Sequence, residues 1–335
     1  MQNVINEYFS DTSEIQITPI NTGLINQTYH VIVNQKSYIL QSINTDIFKN
    51  PQIITRNILN ISSYLQQQQY PKAVINCIAN KKGEYITEYN NKHWRLTTYI
   101  ANSVCFDTVQ NSDQAFEAAK ALSEFHKYLL KFPTSKIESS IPGFLDYNKR
   151  VEAFNLALQT GNLDRIKHAE TEIQQILDNM PLVSQYLEIQ FPERIVHADA
   201  KISNFLFDSK QTNHVLAIID WDTLLPGNIL CDFGDMIRTY ANLKSEDDPD
   251  AQNNFSIANY IAVKKGFLTF LENKLTQTEL QAIDLTAKVV VLIQAIRFLT
   301  DYFNNDSYYY TSYSEQNLNR TKNQLNLLHA IQSFS

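Results

Sequence analysis

With 335 residues, 44% of them hydrophobic, the chain is long enough for two lobes or domains around a sizeable core. Its formal net charge of −7 argues against a general nucleic-acid or anionic-membrane surface, since both want a basic face, but leaves room for ATP, which needs only local cations and Mg2+. Three cysteines without a CxxC pair (Cys77, Cys105, Cys231), a start without a signal-peptide pattern and no apolar run near ~20 residues predict a soluble cytoplasmic protein.

In chain order, the first hundred residues predict strands. Ile15-Gln16-Ile17 alternates, and residues 28–33 and 37–43 are β-rich runs joined by Asn34-Gln35-Lys36, a hairpin signal. Before them lies the turn Asn21-Thr22-Gly23-Leu24-Ile25-Asn26, which with one glycine reads by itself as an ordinary hairpin turn. Residues 51–69 predict a helix with Ile54, Ile58, Ile61 and Leu65 on one face. Strand-like runs follow at 73–78, 84–87 and 94–100. The rest reads as largely helical: 113–132, an αα-hairpin of 146–159 and 163–179, then 232–242, 252–272, 278–303 and 315–333, with Thr276 or Thr278 as an N-cap. This is an α+β order: a small β-rich lobe over residues 1–100 and a larger, mainly helical lobe over 101–335.

Within the second lobe, residues 195–238 carry two apolar runs that each deliver a polar cluster. The first holds His197, Asp199, Lys201 and Asn204; the second holds Asp220 and Asp222. Asp220 follows Leu216-Ala217-Ile218-Ile219, and a charge at the end of a buried strand must find a partner, a metal or water.

The pattern H-x-D-x-K-x-x-N followed by I-D resembles the catalytic core of protein-kinase-like phosphotransferases, which implies a bilobal fold. The resemblance makes Asp199 the base for the attacking hydroxyl and Lys201 the cation on the γ-phosphate. It makes Asn204 and Asp220 the Mg2+ ligands, all on one short loop and a facing strand. Thr22, Gly23 and Asn26 of the early turn, Gln41, and Tyr99 and Ile100 of the Tyr99-Ile100-Ala101-Asn102 hinge become the ATP-binding candidates.

Several stretches are similar to the aminoglycoside-phosphotransferase and choline-kinase branch of that fold, and most of all to N-acetylhexosamine 1-kinases. They are Gly23-Leu24-Ile25-Asn26-Gln27-Thr28-Tyr29, residues 38–44, Trp94-Arg95 through Tyr99-Ile100, Ile141-Pro142-Gly143-Phe144, Ile219-Asp220-Trp221-Asp222-Thr223, Asp232-Phe233-Gly234-Asp235 and residues 297–302. The resemblance implies ATP- and Mg2+-dependent phosphorylation of a sugar at its anomeric hydroxyl, with Asp222, Arg297 and Tyr308 as substrate-binding candidates. Asp222 could equally be a second carboxylate on the metal.

There are departures. Gln41 occupies the position of the strand lysine that grips the α- and β-phosphates, the helix at 51–69 contains no Asp or Glu to pair with it, and Leu24 stands where the group often has His. Other readings compete. The same fold could act on an aminoglycoside, choline or homoserine. Asp220-Trp221-Asp222 also looks like the D-x-D of metal-dependent glycosyltransferases. The missing lysine–glutamate pair could mark a non-catalytic module. Among the plainer roles, His197 braces its loop, Trp221 packs, Asp232 and Asp235 cap the following helix, and Arg297 pairs with Asp301 at i+4.

Overall fold

The computed structural model describes residues 1–20, 25–250 and 252–334. It opens with a helix that the sequence reading did not contain, α1 (Gln2–Tyr8), followed by β1 (Ile15–Ile20), β2 (Gln27–Val33) and β3 (Lys36–Ile43). Asn34 and Gln35 both take positive φ, 48° and 66°, as a two-residue hairpin turn requires. Lys36 therefore belongs to β3 and not to the turn. Then come α2 (Pro51–Gln67), with proline in its first turn, β4 (Cys77–Ile78), β5 (Thr87–Tyr89) and β6 (Lys92–Thr98).

These strands form one antiparallel sheet in the order β1-β2-β3-β6-β4, with β5 also on β6. The register sets Thr28 opposite Gln41, and Gln41 opposite Arg95. Val31, Val33, Leu40, Trp94 and Leu96 pack with Val4, Ile5 and Tyr8 of α1 as a small separate core. β4 and β5 are shorter than the runs at 73–78 and 84–87 suggested. Ala73 instead bridges to Ala217, and the Asn80 side chain ties down Lys82, Glu84 and Thr87.

The remainder is mainly helical. β7 (Ser103–Val104) leads to α3 (Ser112–Leu129), α4 (Tyr147–Thr160), α5 (Leu163–His168) and α6 (Glu170–Leu187). The expected helical hairpin is therefore broken at Ala169. Next come β8 (Arg194–Val196), β9 (Phe205–Asp208), β10 (Val215–Ile218), β11 (Leu225–Gly227), α7 (Leu230–Tyr240), α8 (Ile257–Leu268), α9 (Gln277–Phe303) and α10 (Gln316–Phe334). β9 pairs with β10 and β7, and β11 pairs with β8. Thr276 closes a full capping box with Glu279 at the start of α9. That helix packs against α4, α6, α7 and α10. No helix of the described residues is long and apolar enough to cross a membrane.

One close approach sets the position of α7. A Cβ on Gly234 would lie 2.6 Å from Val290 Cγ2 and 2.8 Å from its Cβ. Val290 is β-branched and cannot swing aside. Gly234→Ala should therefore lower unfolding free energy by about 1–3 kcal/mol, read as a shifted urea midpoint. An unchanged midpoint would show that α7 and α9 can part at no cost.

Candidate active site

β8 ends at Val196, and the chain then makes a loop that α7 holds from below. Asp232 and Asp235 lie inside α7, because the helix begins at Leu230, two residues earlier than its polar start suggests. They do not cap the helix. Asp232, fully buried, accepts from His197 N at 2.8 Å through Oδ2 and from Ala198 N at 2.7 Å through Oδ1. His126 Nε2 of α3 lies 3.0 Å from the same Oδ2. One turn on, Asp235 accepts from Ala200 N at 2.8 Å and grips Arg238. The anchors hold Ala198 at a φ of 63°, a left-handed conformation that costs a residue with a Cβ about 1–2 kcal/mol. His197 braces the loop, its Nε2 lying 2.9 Å from Ile219 O.

This loop brings four of the predicted side chains together. Lys201 Nζ lies 2.8 Å from Asp199 Oδ2, and Asn204 Nδ2 donates to Asp199 Oδ2 at 2.9 Å and to its backbone oxygen at 2.8 Å. Ile219 N donates to Asn204 O at 2.9 Å, which lays the end of β10 against the loop and sets Asp220 beside it. Burial alone would raise the Asp199 carboxyl. Lys201, with help from His197 and Asn204, outweighs that and holds it below its ordinary value. Asp220 goes the other way. Burial, then the charges of Asp222 and Asp199, push it up to about 7 against the pull of Lys201 and Arg95.

Asp220 sits at a φ of 61°, and its carboxylate makes no hydrogen bond among the described residues. Such a group fits a cation. Asn204, donating through Nδ2, keeps Oδ1 as a second hard oxygen. Mg2+ accepts two protein oxygens when phosphates and waters complete its shell.

The sheet side of the cleft holds a residue whose role the sequence did not reveal. Arg95, in β6 and almost wholly buried, places Nε on Gln41 Oε1 at 2.9 Å and Nη1 at 2.6 Å from Asp222 Oδ1. The second contact is off-line for a hydrogen bond, so it acts as charge pairing. Burial works against the guanidinium's charge, but Asp222 outweighs it and holds Arg95 above its ordinary pKa. Gln41 in turn donates to Thr28 Oγ1 at 3.1 Å. Asn26 donates to Asp222 Oδ2 at 2.8 Å and accepts from Asn44 N. Asp222 is thus buried, with both oxygens engaged by the sheet. This is the pairing in which the structure holds the residue expected to meet substrate or metal. The only hint in sequence was a lone arginine inside the apolar run Trp94-Arg95-Leu96. Thr22 and Gly23 lie outside the described residues.

At the hinge, Tyr99 stacks on His30 with ring centroids 4.5 Å apart, and Ile100 O accepts from Ser103 Oγ at 2.7 Å. Arg297 lies elsewhere, on α9. It does not pair with Asp301. Asp301 is buried and accepts from Tyr308 N, Tyr309 N and Asn317 Nδ2 at 2.8–2.9 Å, which fixes the loop after α9. Arg297 instead donates to Gln294 at 2.9 Å and lies 5.7 Å from the Phe144 ring and 5.6 Å from the Tyr309 ring. Arg150 of α4 joins it and donates to Phe144 O. Burial first, and then the charge of Arg297, lower the Arg150 pKa. Tyr308 is exposed, with its ring edge-on to Tyr309. Ser140 Oγ donates to Asp222 O and ties the turn carrying Phe144 to the end of β10. Two open depressions of about 480 and 450 Å³ lie around His214, outside this cluster, and the second reaches Ile100 and Ala101 of the hinge.

Solved structures resemble the chain along nearly its whole length, among them three small-molecule kinases and phosphotransferases. A microcompartment-associated aminopropanol kinase matches with a TM-score of 0.71 at 14% identity, over 99% of this chain and 96% of its own. Spectinomycin phosphotransferase APH(9)-Ia, in complex with ADP and spectinomycin, gives 0.64 at 12%, over 98% and 97%. Choline kinase from Cryptosporidium parvum gives 0.58 at 15%, over 100% and 97%. At these identities the likeness concerns the fold, which is the protein-kinase-like α+β fold with a sheet first and a mainly helical region after it. The family described as APH, phosphotransferase enzyme family, has a model that matches residues 16–260. With that match over most of its length, the chain belongs to the phosphotransferase enzyme family, the aminoglycoside-phosphotransferase and choline-kinase-like enzymes that phosphorylate small molecules from ATP.

Proposed function

We propose that this phosphotransferase transfers the γ-phosphoryl group of ATP to the anomeric hydroxyl of an N-acetylhexosamine or a related sugar. Asp199 orients that hydroxyl and takes its proton. Lys201 offsets the charge that spreads over the equatorial oxygens of the migrating group. Asn204 and Asp220 would hold Mg2+, which would supply electrostatic stabilisation of the nucleotide's phosphate charge. Transfer is direct and in line. Nucleotide binding falls mainly to residues 1–100, around Asn26, Gln41 and the Tyr99-Ile100 hinge; catalysis and acceptor binding fall to 101–335. ATP supply and three unpaired thiols fit the cytoplasm.

One observation carries the choice of acceptor. Arg150 and Arg297 share a wall with Phe144, Tyr308 and Tyr309, while the nearby carboxylates have partners of their own: Asp301 the loop amides, Asp146 Lys149. Two guanidiniums repel a polycationic aminoglycoside or a choline. They suit hydroxyls, an acetamide oxygen and a sugar face stacked on an aromatic ring. The second reading, another alcohol on the same fold, predicts the reverse preference. The glycosyltransferase reading is weakened because Asp222 is engaged with Arg95 and Asn26.

A panel assay of ADP release tests this. Turnover is expected with N-acetylglucosamine or N-acetylgalactosamine, giving an alkali-stable, acid-labile sugar 1-phosphate. EDTA should abolish it and added Mg2+ restore it. Turnover confined to choline, homoserine or an aminoglycoside overturns the sugar assignment.

A further inference from the structure

Kinase-type sites use a lysine on the third strand to grip the α- and β-phosphates and a helix glutamate to orient it. This chain has Gln41 at that strand position and no acidic residue in α2. Building on the phosphotransferase reading above, we propose that Arg95 is the cation that grips the nucleotide's α- and β-phosphates, with Asp222 as its positioning partner. The two halves of the usual pair are then drawn from other elements: the cation from the neighbouring strand, the acid from the segment after β10.

Register is the first argument. Arg95 lies directly opposite Gln41 across β3 and β6, so both side chains leave the same face of the sheet. Directly opposed residues have Cβ atoms about 4.5–5.5 Å apart. A guanidinium is long enough to cover that offset and fill the space a lysine at 41 would have used.

Orientation is the second. Arg95 Nε is fixed by Gln41, which Thr28 holds, and Nη1 by Asp222, which Asn26 holds. Arginine has five donor hydrogens. Among the described residues Nη2 makes no hydrogen bond, so one end of the fork is still available to a phosphate oxygen.

Proximity is the third. Asp222 stands two residues beyond Asp220, and Arg95 Nη1 lies 2.6 Å from the Asp222 carboxylate. The guanidinium therefore reaches the short segment after β10 that also carries the carboxylate assigned to the metal. The bland alternative is an ion pair that only fastens the sheet to the end of β10. Such a pair would treat phosphorylated and unphosphorylated ligands alike.

Calorimetric affinities for ADP with Mg2+ and for adenosine separate the two, measured on wild type, R95K, R95Q and R95Q/D222N beside their unfolding midpoints. R95Q should weaken ADP about 10- to 100-fold, as expected for lost hydrogen bonds to a charged group, and adenosine by less than about threefold. R95K should fall between, since it keeps the charge but not the fork. The double variant leaves no buried charge unpaired, so it keeps the test open if R95Q fails to fold, and it should show the same ADP-specific loss. A folded variant with the wild-type ratio of ADP to adenosine affinity overturns the proposal. Wild-type protein that does not bind ADP removes the phosphotransferase reading and this proposal together.

Discussion

Asp199→Asn should cut kcat by about 10²–10⁴-fold, the range that a positioned general base contributes. Asparagine keeps the shape of the side chain and can still meet Asn204 and Lys201, but it cannot receive a proton. Lys201, 2.8 Å away, already holds the native carboxyl ionised. The asparagine has no proton to lose, so raising the pH above neutrality should not restore a base at this position. Its affinity for ADP should stay within a few-fold of wild type, because Asp199 is assigned to the acceptor and not to the nucleotide. Steady-state ADP release and ADP titration on the same preparation check both halves. If wild type and variant are equally inert across all acceptors, the non-catalytic reading prevails. If only KM moves, Asp199 positions the acceptor without taking its proton.

Asp232→Ala should be the most damaging single change to stability, by about 3–5 kcal/mol. The carboxylate is fully buried and accepts from two loop amides at 2.8 and 2.7 Å, with His126 at 3.0 Å. Hydrogen bonds to a charged group contribute about 1.5–3 kcal/mol each, and here the amides would be stranded away from water. Relief of the left-handed turn at Ala198 returns a little of this. The loss should appear in the urea midpoint. It should also appear in kcat of the fraction that remains folded, because the loop would no longer aim Asp199. Asp232→Asn should be milder but still costly, since its amide group would point one donor at another. Wild-type stability in the alanine variant would show that the loop keeps its shape without α7.

The parts of the site that were legible in the sequence are those that lie close together along it. Asp199, Lys201 and Asn204 leave one loop, and Asp220 ends the next hairpin, so the motif whose resemblance singles them out is nearly contiguous in the chain. The β-then-α order was legible too, because strand alternation and helical periodicity are local. The Arg95–Asp222 pair was not. It joins segments far apart in the chain, and only the β3–β6 register shows that arginine stands beside Gln41. For Asp232 and Asp235 the sequence leaves a capping role level with a functional one, because acidic residues near a helix start usually face its free amides. Here the helix begins at Leu230 and turns both toward an outside loop. Arg297 and Asp301 had the right spacing to pair, yet the amides of Tyr308 and Tyr309 compete for Asp301 and win.

The mounting of the catalytic loop has a consequence for redesign. Its supports come from α7 and α3, whereas the guanidiniums and rings proposed to meet the acceptor come from α4, α9 and the segments carrying Phe144 and Tyr308. The two are joined all the same: α7 packs on α9 where Gly234 meets Val290, and Ser140 ties the Phe144 turn to the end of β10. Retailoring the proposed wall by side-chain changes that shift α9 should therefore also move the catalytic loop, so acceptor preference and rate of transfer are expected to change together.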